Sequence, residues 1–383
     1  MSHAAGQDNW YEIADVAAIY SPALLVYPRR VEENLRRMRS VAGEVHRLRP
    51  HIKTHKMPEL LQLQLAHGIK KYKCATMAEA EIAAEAGVAE LLLAYQPVGP
   101  TVQRLLELRR RYSNVRFSVI ADDPEVIRQL SRAIQKSVPE TAPSTRLSAL
   151  EVLVDLDLGQ RRTGILPGKS AFELYQLIAS LPGLMPGGLH AYDGHITNPD
   201  PAQRAVECEQ AFAPVVALRD QLEKAGLPVP RVVAGGTPTF PIHAKRGNVE
   251  CSPGTCVLWD AGYANKLKDL DFIPAALILT RVVSKPGAGR LCLDLGHKAV
   301  AAEMPHPRVT FLNLEDAKAV MHSEEHLVVE TNRDSEFSIG DCLYGMPWHI
   351  CPTVALHSEA IVIKDGKPVG TWKVVARERR LTV

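Results

Sequence analysis

The sequence has no run of about 18 apolar residues, and its first seven residues lack the charged and apolar segments of a signal peptide. It also has no run of five like charges, and its formal net charge is only +2. These absences argue against a membrane span and against a polyanionic partner. We therefore expect a cytoplasmic protein that binds neither a membrane nor a nucleic acid.

Cysteine is sparse and odd in number, with seven residues spread from Cys74 to Cys351. In a chain of 383 residues this pattern is typical of reduced thiols and not of a disulfide framework. The remaining composition, 46% hydrophobic and 23% charged residues, is that of an ordinary globular protein. The length allows one large domain or two.

Short β-rich segments alternate with helix-like stretches through the first two thirds of the chain. Strands are predicted at 45–53, 71–76, 90–95, 115–121, 150–156, 188–192, 231–234 and 249–251. Helices are predicted at 77–86, 101–112, 124–135, 171–180 and 202–225. Eight such alternations predict an α/β fold, a (β/α)8 barrel of the TIM type. A doubly wound open sheet is the alternative, which the absence of Gly-x-Gly-x-x-Gly after the first strand disfavours.

Beyond about residue 267 the predicted strands follow one another without long helices. They lie at 276–284, 290–295, 326–331, 341–344, 353–356, 360–364 and 371–376. This texture predicts a C-terminal antiparallel β domain, which the early segment Ala23–Tyr27 joins. We expect the barrel to occupy 30–265, and the β domain to comprise 1–29 and 266–383.

The most informative motif is the run His51-Ile52-Lys53-Thr54-His55-Lys56. In an extended strand, alternation puts His51, Lys53 and His55 on one face and Lys56 on the other. A lysine at the carboxyl end of a strand can be a Schiff-base nucleophile when burial or positive charge lowers its pKa. A basic surface edge is the alternative interpretation of this hexapeptide.

Glycines follow the last two barrel strands, as Gly235-Gly236-Thr237 and Gly254-Thr255. Backbone amides beside such glycines can close on a dianion, and a (β/α)8 barrel usually holds a phosphate at this place. Taken alone, Gly-Gly-Thr marks a plain turn more often than a phosphate site.

Two further clusters leave strands five and six. An arginine of the segment Asp157–Gly164 could hold a phenolate or carboxylate in its anionic form, or could pair with acidic neighbours at the surface. His190 and Tyr192 share one face at the end of strand six, although both residue types are common as core polar groups.

The last motif is His349-Ile350-Cys351. In an extended segment, His349 and Cys351 project from the same face and offer an imidazole nitrogen and a thiolate to one ion. Two protein ligands leave positions open for water or substrate, and a thiolate favours Zn²⁺ over Mg²⁺ or Mn²⁺. By itself His-x-Cys is a weak motif.

Taken in order, these motifs resemble those of the D-threonine aldolase and D-serine dehydratase family. The ordered set comprises Arg49-Pro50-His51-x-Lys53-x-His55-Lys56, Val98-Gly99-Pro100, Asp157-x-Gly-x-x-Arg-x-Gly164, Ala191-Tyr192, Gly235-Gly236-Thr237, Asp294-x-Gly-x-Lys298 and His349-x-Cys351-Pro-Thr. The resemblance extends from about Ala23 to Arg377. Members of this family are fold-type III pyridoxal phosphate enzymes related to the alanine racemase barrel.

The resemblance implies pyridoxal 5'-phosphate and a divalent metal as cofactors, with Zn²⁺ favoured and Mn²⁺ or Mg²⁺ as alternatives. It makes Lys53 the Schiff-base lysine and leaves His51 or His55 as the base for the substrate hydroxyl. The implied cofactor-binding residues are Lys53, Arg162, Tyr192, Gly235, Gly236, Thr237, Gly254 and Thr255, and the implied metal ligands are His349 and Cys351. It also implies a homodimer.

The substrates expected from this resemblance are small D-3-hydroxy amino acids. Retro-aldol cleavage to glycine and an aldehyde is the favoured reaction, dehydration to a keto acid and ammonia is the alternative, and racemisation ranks below both. Cys351 points to the zinc dehydratases, because the aldolases carry Asp there, whereas Val98–Pro100, Ala191-Tyr192 and Trp372–Arg377 point to the aldolases. A non-catalytic pyridoxal phosphate carrier would be shorter and would lack the β domain and the metal pair.

Overall fold

The computed structural model describes residues 9–137, 149–379 and 381–382. Within them the chain forms two compact units. The first takes its residues from 35–256, 266–271 and 375–382, and the second from those before 35, 257–265 and 272–374. In the described part of the chain, no helix combines the length and the apolar character needed to cross a membrane.

The described elements alternate between strand and helix over the first two thirds of the chain and are mostly strands thereafter. The strands are β1 (Ala23–Val26), β2 (Lys71–Cys74), β3 (Glu90–Leu93), β4 (Arg116–Ala121), β5 (Leu150–Asp155), β6 (Leu184–Ala191), β7 (Val232–Ala234), β8 (Val249–Cys251), β9 (Ala276–Gly287), β10 (Arg290–Leu293), β11 (Val309–Phe311), β12 (Lys318–His322), β13 (Leu327–Glu330), β14 (Cys342–Pro347), β15 (Glu359–Lys364) and β16 (Lys367–Lys373). The α-helices are α1 (Pro28–Ala42), α2 (Pro58–Ala66), α3 (Met77–Glu85), α4 (Pro100–Arg111), α5 (Pro124–Ser137), α6 (Lys169–Ser180), α7 (Pro201–Lys224), α8 (Phe240–His243), α9 (Ala261–Lys266) and α10 (Ile350–Leu356).

In the first unit, β2 to β8 form one parallel sheet in chain order. Residues 48–51, which we call the closing segment, bridge the two edges of this sheet. Leu48 pairs with Cys251 of β8, and His51 pairs with Lys73 of β2. The sheet thus closes into a ring with eight positions. The predicted barrel of the TIM type is confirmed.

The barrel interior is filled by apolar side chains from different strands. Leu92, Ile120, Leu153 and Val233 are buried and pack together, although they come from β3, β4, β5 and β7. Contact among four strands of one sheet requires that these side chains point inward. The barrel is therefore a packed core below the strand ends.

The connecting helices begin where the sequence signals place them. The Thr76 side chain accepts the Glu79 N–H at the start of α3 (3.2 Å), and Asp200 accepts the Ala202 N–H at the start of α7 (2.8 Å). Such side-chain caps satisfy amide groups that have no partner within the helix. The five helices predicted in this region are confirmed.

The first predicted strand, 45–53, is wrong at both ends, since Val45–Arg47 form a 3-10 turn and only Leu48 and His51 make strand-like bridges. Residues Ile52–Thr54 form a 3-10 turn, in which the His55 N–H donates to the Ile52 carbonyl at 3.2 Å. The turn removes the alternation of an extended chain, so His51, Lys53 and His55 do not share one face.

The predicted strand Thr353–Leu356 is also wrong, because these residues belong to α10. His349 is the N-cap, and the Thr353 hydroxyl donates to the His349 carbonyl at 2.8 Å. Pro352 lies in the first turn, where a helix tolerates a residue without an N–H. Six further elements are not predicted from the sequence, namely α1, α2, α8, α9, β11 and β12.

The second unit is a mostly antiparallel sheet in the order β12-β13-β10-β9-β1-β15-β16, with β14 beside β9 and β11 beside β14. Strand β1 is antiparallel to β9 and parallel to β15. Its core is apolar and includes Leu25, Leu277, Leu279 and Tyr344. The predicted antiparallel-rich domain at the C-terminus is confirmed.

Arg49 ties the closing segment to two barrel strands. Its side chain is fully buried, and its guanidinium donates to Glu250 of β8 at 2.6 Å and to Glu90 of β3 at 2.7 Å. Burial acts to raise the pKa of Glu250, but Arg49 and Lys71 together lower it. The acceptor is therefore a carboxylate, and the contact is a charge-assisted hydrogen bond.

We predict that Arg49→Met lowers the free energy of unfolding by about 3 kcal/mol, because two carboxylates in the barrel lose their fully buried cation. Glu250 then keeps Lys71 and Glu90 keeps Arg116, and both of these cations are more exposed than Arg49. The control is Arg110→Met, which removes an exposed partner of Glu107 and should leave the urea midpoint unchanged. Equal midpoints for both variants would contradict the role given to Arg49.

Candidate functional site

A cavity of about 590 Å³ lies at the carboxyl ends of the barrel strands. Its polar lining comes from His51, Lys53, Lys73, Gln96, Asp122, Asp155, Arg162, Thr163, His190 and Tyr192. Four of the predicted site residues, His51, Lys53, Arg162 and Tyr192, thus meet at one place. A polar cavity at this end of a (β/α)8 barrel is the usual position of an active site.

Lys53 reaches the cavity from the 3-10 turn that follows the closing segment. Its backbone N–H donates to Nδ1 of His51 at 3.2 Å, which fixes the imidazole beside the lysine. Burial, followed by the charges of Lys53 and Lys73, lowers the pKa of His51 well below its ordinary value. His51 is therefore an uncharged imidazole at neutral pH.

His55 is not among the residues that line the cavity. It is completely buried, and its Nδ1 accepts the Met57 N–H at 3.1 Å. Burial lowers its pKa to about 3. The neighbouring Lys56 forms an ion pair with Glu79. The turn at 52–54 therefore separates His55 from the residues that it was predicted to accompany.

Three cationic side chains surround the ring of Tyr192. The distances from the ring centroid are 5.0 Å to Arg162 Cζ, 5.2 Å to Lys73 Nζ and 5.9 Å to Lys53 Nζ. All three distances lie within the range of cation–π attraction. The site therefore holds a concentration of positive charge around one aromatic ring.

Two glycines provide the space that the Tyr192 ring occupies. A Cβ atom on Gly194 would lie 1.9 Å from the Tyr192 hydroxyl oxygen, and one on Gly236 would lie 3.2 Å from its Cε2. The first distance excludes any side chain at Gly194 unless the ring moves. Gly236 also places the ring against the loop that follows β7.

His190 and Asp155 form a buried pair at the ends of β6 and β5. Their Nδ1 and Oδ1 atoms are 2.6 Å apart. Burial acts to raise the pKa of Asp155, but hydrogen bonds from His190 and Thr163 lower it overall. Nε2 of His190 is buried and has no hydrogen-bond partner within the described residues. Such an atom needs a partner from a ligand or water, since an unsatisfied buried nitrogen is costly.

The predicted phosphate residues converge as two loops after β7 and β8. The Thr237 hydroxyl accepts the backbone N–H groups of Gly254 (3.3 Å) and Thr255 (3.2 Å). Gly235 has φ of +79°, and a Cβ there would lie 3.0 Å from the His243 ring. The Thr237 hydroxyl therefore holds the two glycine-containing loops together at the barrel end where a phosphate is usually bound.

A buried polar network lies behind the loop that follows β7. Asp193 accepts the Thr239 hydroxyl at 2.7 Å and pairs with Nε2 of His243 at 2.8 Å, and Cys208 Sγ lies 3.6 Å from the same carboxylate. Thr239 in turn accepts the Gly236 N–H at 3.3 Å. The network therefore holds the loop in place through direct hydrogen bonds.

Asp193, Cys208 and His243 also form the one group of three such side chains, among the described residues, whose atoms lie close enough to hold a metal. No motif in the sequence predicts this group. Its members are 15 and 35 residues apart along the chain, so no local spacing signals it.

In the second unit, His349 and Cys351 are in direct contact at the start of α10. Nδ1 of His349 lies 2.6 Å from Glu303 Oε1. Burial acts to lower the pKa of His349, but Cys351, Glu303 and Asp260 raise it to about 9. A carboxylate on one ring nitrogen, with a sulfur nearby, is the arrangement typical of a metal-binding histidine.

The comparisons with known proteins agree with this geometry. The alanine racemase N-terminal domain family matches residues 26–260, and the putative serine dehydratase domain matches residues 275–363. A D-threonine aldolase from Arthrobacter sp. is 29% identical over 374 residues, which cover 94% of each chain. A D-threo-3-hydroxyaspartate dehydratase from Delftia sp. is 29% identical over 293 residues, covering 74% of this chain and 73% of the relative.

A solved structure shares the fold over nearly the whole chain. The crystal structure of D-threonine aldolase from Filomicrobium marinum superposes with a TM-score of 0.87 at 27% identity. The match covers 96% of this chain and 98% of that one. The likeness therefore includes both units and not the barrel alone.

We predict that Asp193→Ala lowers the free energy of unfolding by about 3 kcal/mol or more, because Thr239 and His243 lose a buried partner. Asp220→Ala is the control, since Asp220 is half-exposed on α7 and pairs with the adjacent Arg219. It should remain within about 0.5 kcal/mol of the wild type. Urea unfolding measures both, and equal values would contradict the structural role of the network.

Proposed function

The chain belongs to the alanine racemase N-terminal domain family, and we propose that it uses pyridoxal phosphate to cleave D-3-hydroxy amino acids by a retro-aldol reaction. The observation that carries this proposal is the position of Lys53, which enters a cationic cavity at the barrel mouth beside Tyr192. The products would be glycine and an aldehyde.

The residues at the barrel mouth fit pyridoxal phosphate. The cofactor supplies an electron sink for the bonds at Cα of an amino acid. Lys53 offers the amine that would hold it, and the two loops that Thr237 joins, Gly235-Gly236-Thr237 and Gly254-Thr255, would surround the phosphate. Arg162 would keep the phenolic oxygen anionic, and Tyr192 would lie against the ring.

His51 is the base that we propose for the substrate hydroxyl. It lines the cavity next to Lys53, whereas His55 does not. Because its pKa is lowered, its imidazole is uncharged and can accept a proton at neutral pH. We therefore do not propose His55 as this base.

We also propose that His349 and Cys351 bind a divalent metal, with Zn²⁺ favoured because one ligand is a thiolate. Glu303 accepts from Nδ1 of His349 and would leave Nε2 for the metal. A bound metal would act as a Lewis acid on the substrate hydroxyl. The assembly that we propose is a homodimer.

Dehydration to a keto acid and ammonia is the second candidate. Cys351 favours it, because a thiolate ligand is what the zinc dehydratases carry there, and the dehydratase from Delftia sp. matches about three quarters of this chain. The aldolase remains first, since the D-threonine aldolase from Arthrobacter sp. matches 94% of the chain.

The deciding experiment is a product assay on D-threonine, D-serine and D-3-hydroxyaspartate, with pyridoxal phosphate and either Zn²⁺ or Mn²⁺. We expect glycine and an aldehyde as products. We also expect Lys53→Ala to abolish turnover and the absorbance band of cofactor bound covalently to the protein. A keto acid and ammonia as products would show that the protein is a dehydratase and not an aldolase. Neither product with any metal, or full activity of Lys53→Ala, would reject both reactions.

We predict that Glu303→Gln weakens binding of Zn²⁺ about 10- to 100-fold, because the amide no longer holds the His349 ring as a carboxylate does. Glu324→Gln is the matched control, since Glu324 is exposed and pairs only loosely with Lys298 at 3.5 Å. Competition with a fluorescent chelator measures both affinities. Identical affinities would contradict the ligand role of His349.

A further inference from the structure

Lys73 is a buried cation in the cavity for which the proposed function gives no role. It lies at the end of β2, next to the closing segment, and its side chain is 2% exposed. Its Nζ faces the cavity and Tyr192. Lysine is among the residues that are almost never fully buried without a partner.

Other buried cations of the same unit have such partners. Arg49 reaches Glu250 and Glu90, and Arg204 reaches Asp269. Lys73 differs, because its ammonium makes no hydrogen bond and no ion pair with any residue in the described parts of the chain.

Two carboxylates, Asp155 and Asp193, act on the charge of Lys73, but each already accepts hydrogen bonds from other side chains. Asp155 is held by His190 and Thr163. Asp193 is held by Thr239 and His243. Neither is at ion-pair distance from Lys73, so neither neutralises it.

The remaining charged neighbours are cations. Burial, followed by the charge of Lys53, lowers the pKa of Lys73 to about 7, with Arg162 acting in the same direction and the two carboxylates opposing it. An unpaired cation among cations is unfavourable unless a bound anion joins them. The cavity supplies the space for one.

We propose that Lys73 binds an oxyanion beside Lys53 in this cavity, either the phenolate oxygen of the bound cofactor or the carboxylate of the amino acid. This inference rests on the proposed function, since that function supplies the two anions. A lysine that merely fills the core would have a carboxylate at ion-pair distance, whereas among the described residues Lys73 has the face of the Tyr192 ring in its place.

The test uses Lys73→Met, which keeps the length of the side chain without its charge, and Lys73→Arg, which restores a cation. Lys70→Met is the matched control, because Lys70 is exposed just before β2. Far-ultraviolet circular dichroism and thermal melting of the cofactor-free proteins establish that each folds. The melting is recorded at about pH 6, where Lys73 is mostly protonated because its pKa is about 7. We expect Lys73→Met to melt there at a higher temperature than the wild type, because it removes a buried charge that has no carboxylate partner.

Two titrations then distinguish the anions. If the anion is the phenolate, Lys73→Met binds pyridoxal phosphate about 10- to 100-fold more weakly and shifts the pH at which the absorbance of the bound cofactor changes. If it is the substrate carboxylate, cofactor binding is unchanged and KM for D-threonine rises by a similar factor. In either case Lys73→Arg recovers part of the loss, and Lys70→Met resembles the wild type.

The inference is overturned if Lys73→Met binds both molecules normally, or if it only lowers the melting temperature. Failure of the proposed function is visible separately, as a wild type that does not bind pyridoxal phosphate. In that event acetate, compared with chloride at equal ionic strength, should still raise the melting temperature of the wild type and not that of Lys73→Met. The absence of this difference would reject the anion site.

Discussion

The closure of the barrel by residues 48–51 is the constraint on which the site depends. This segment has no long ladder of its own and pairs at only two positions, with β8 and with β2. Arg49 compensates, because its buried guanidinium joins the segment to Glu90 and Glu250. Backbone hydrogen bonds add to this anchorage, since the Arg49 N–H donates to the Cys251 carbonyl at 2.8 Å and the His51 N–H to the Pro253 carbonyl at 3.0 Å. The turn that carries Lys53 follows this segment directly, so the ion pairs and the backbone hydrogen bonds together set its position.

The two charge clusters of the first unit follow opposite rules. Around Arg49 every cation has a carboxylate, as a buried charge requires for stability. Around Tyr192 three cations share one ring, and the carboxylates nearby are held by other donors. Like charges without carboxylate partners disfavour the folded protein, and the anion that we propose for this cavity would offset that cost on binding. The cluster around Arg49 thus stabilises the barrel, whereas the cluster around Tyr192 is suited to binding an anion.

The sequence predicts the barrel well, because strand and helix periods are local and their caps are adjacent residues, as with Thr76 and α3. It fails where the decisive contact is distant or where a turn replaces a strand. His55 follows Lys53 by two residues, yet the 3-10 turn removes it from the cavity. Lys73, Asp155 and His190 lie on three different strands and meet in one cavity. No spacing along the chain indicates that they do so.

The pair His349 and Cys351 shows that a contact between two residues can be predicted from an incorrect geometry. Alternation in a strand brings them together, but in the structure they meet as the N-cap and second residue of α10. Either geometry makes neighbours of two such residues, so their proximity alone is weak support for a metal site. The stronger support is Glu303, which orients the imidazole from 46 residues away. A second carboxylate, Asp260, accepts the Ile350 N–H between His349 and Cys351 and so fixes the start of the helix that carries Cys351.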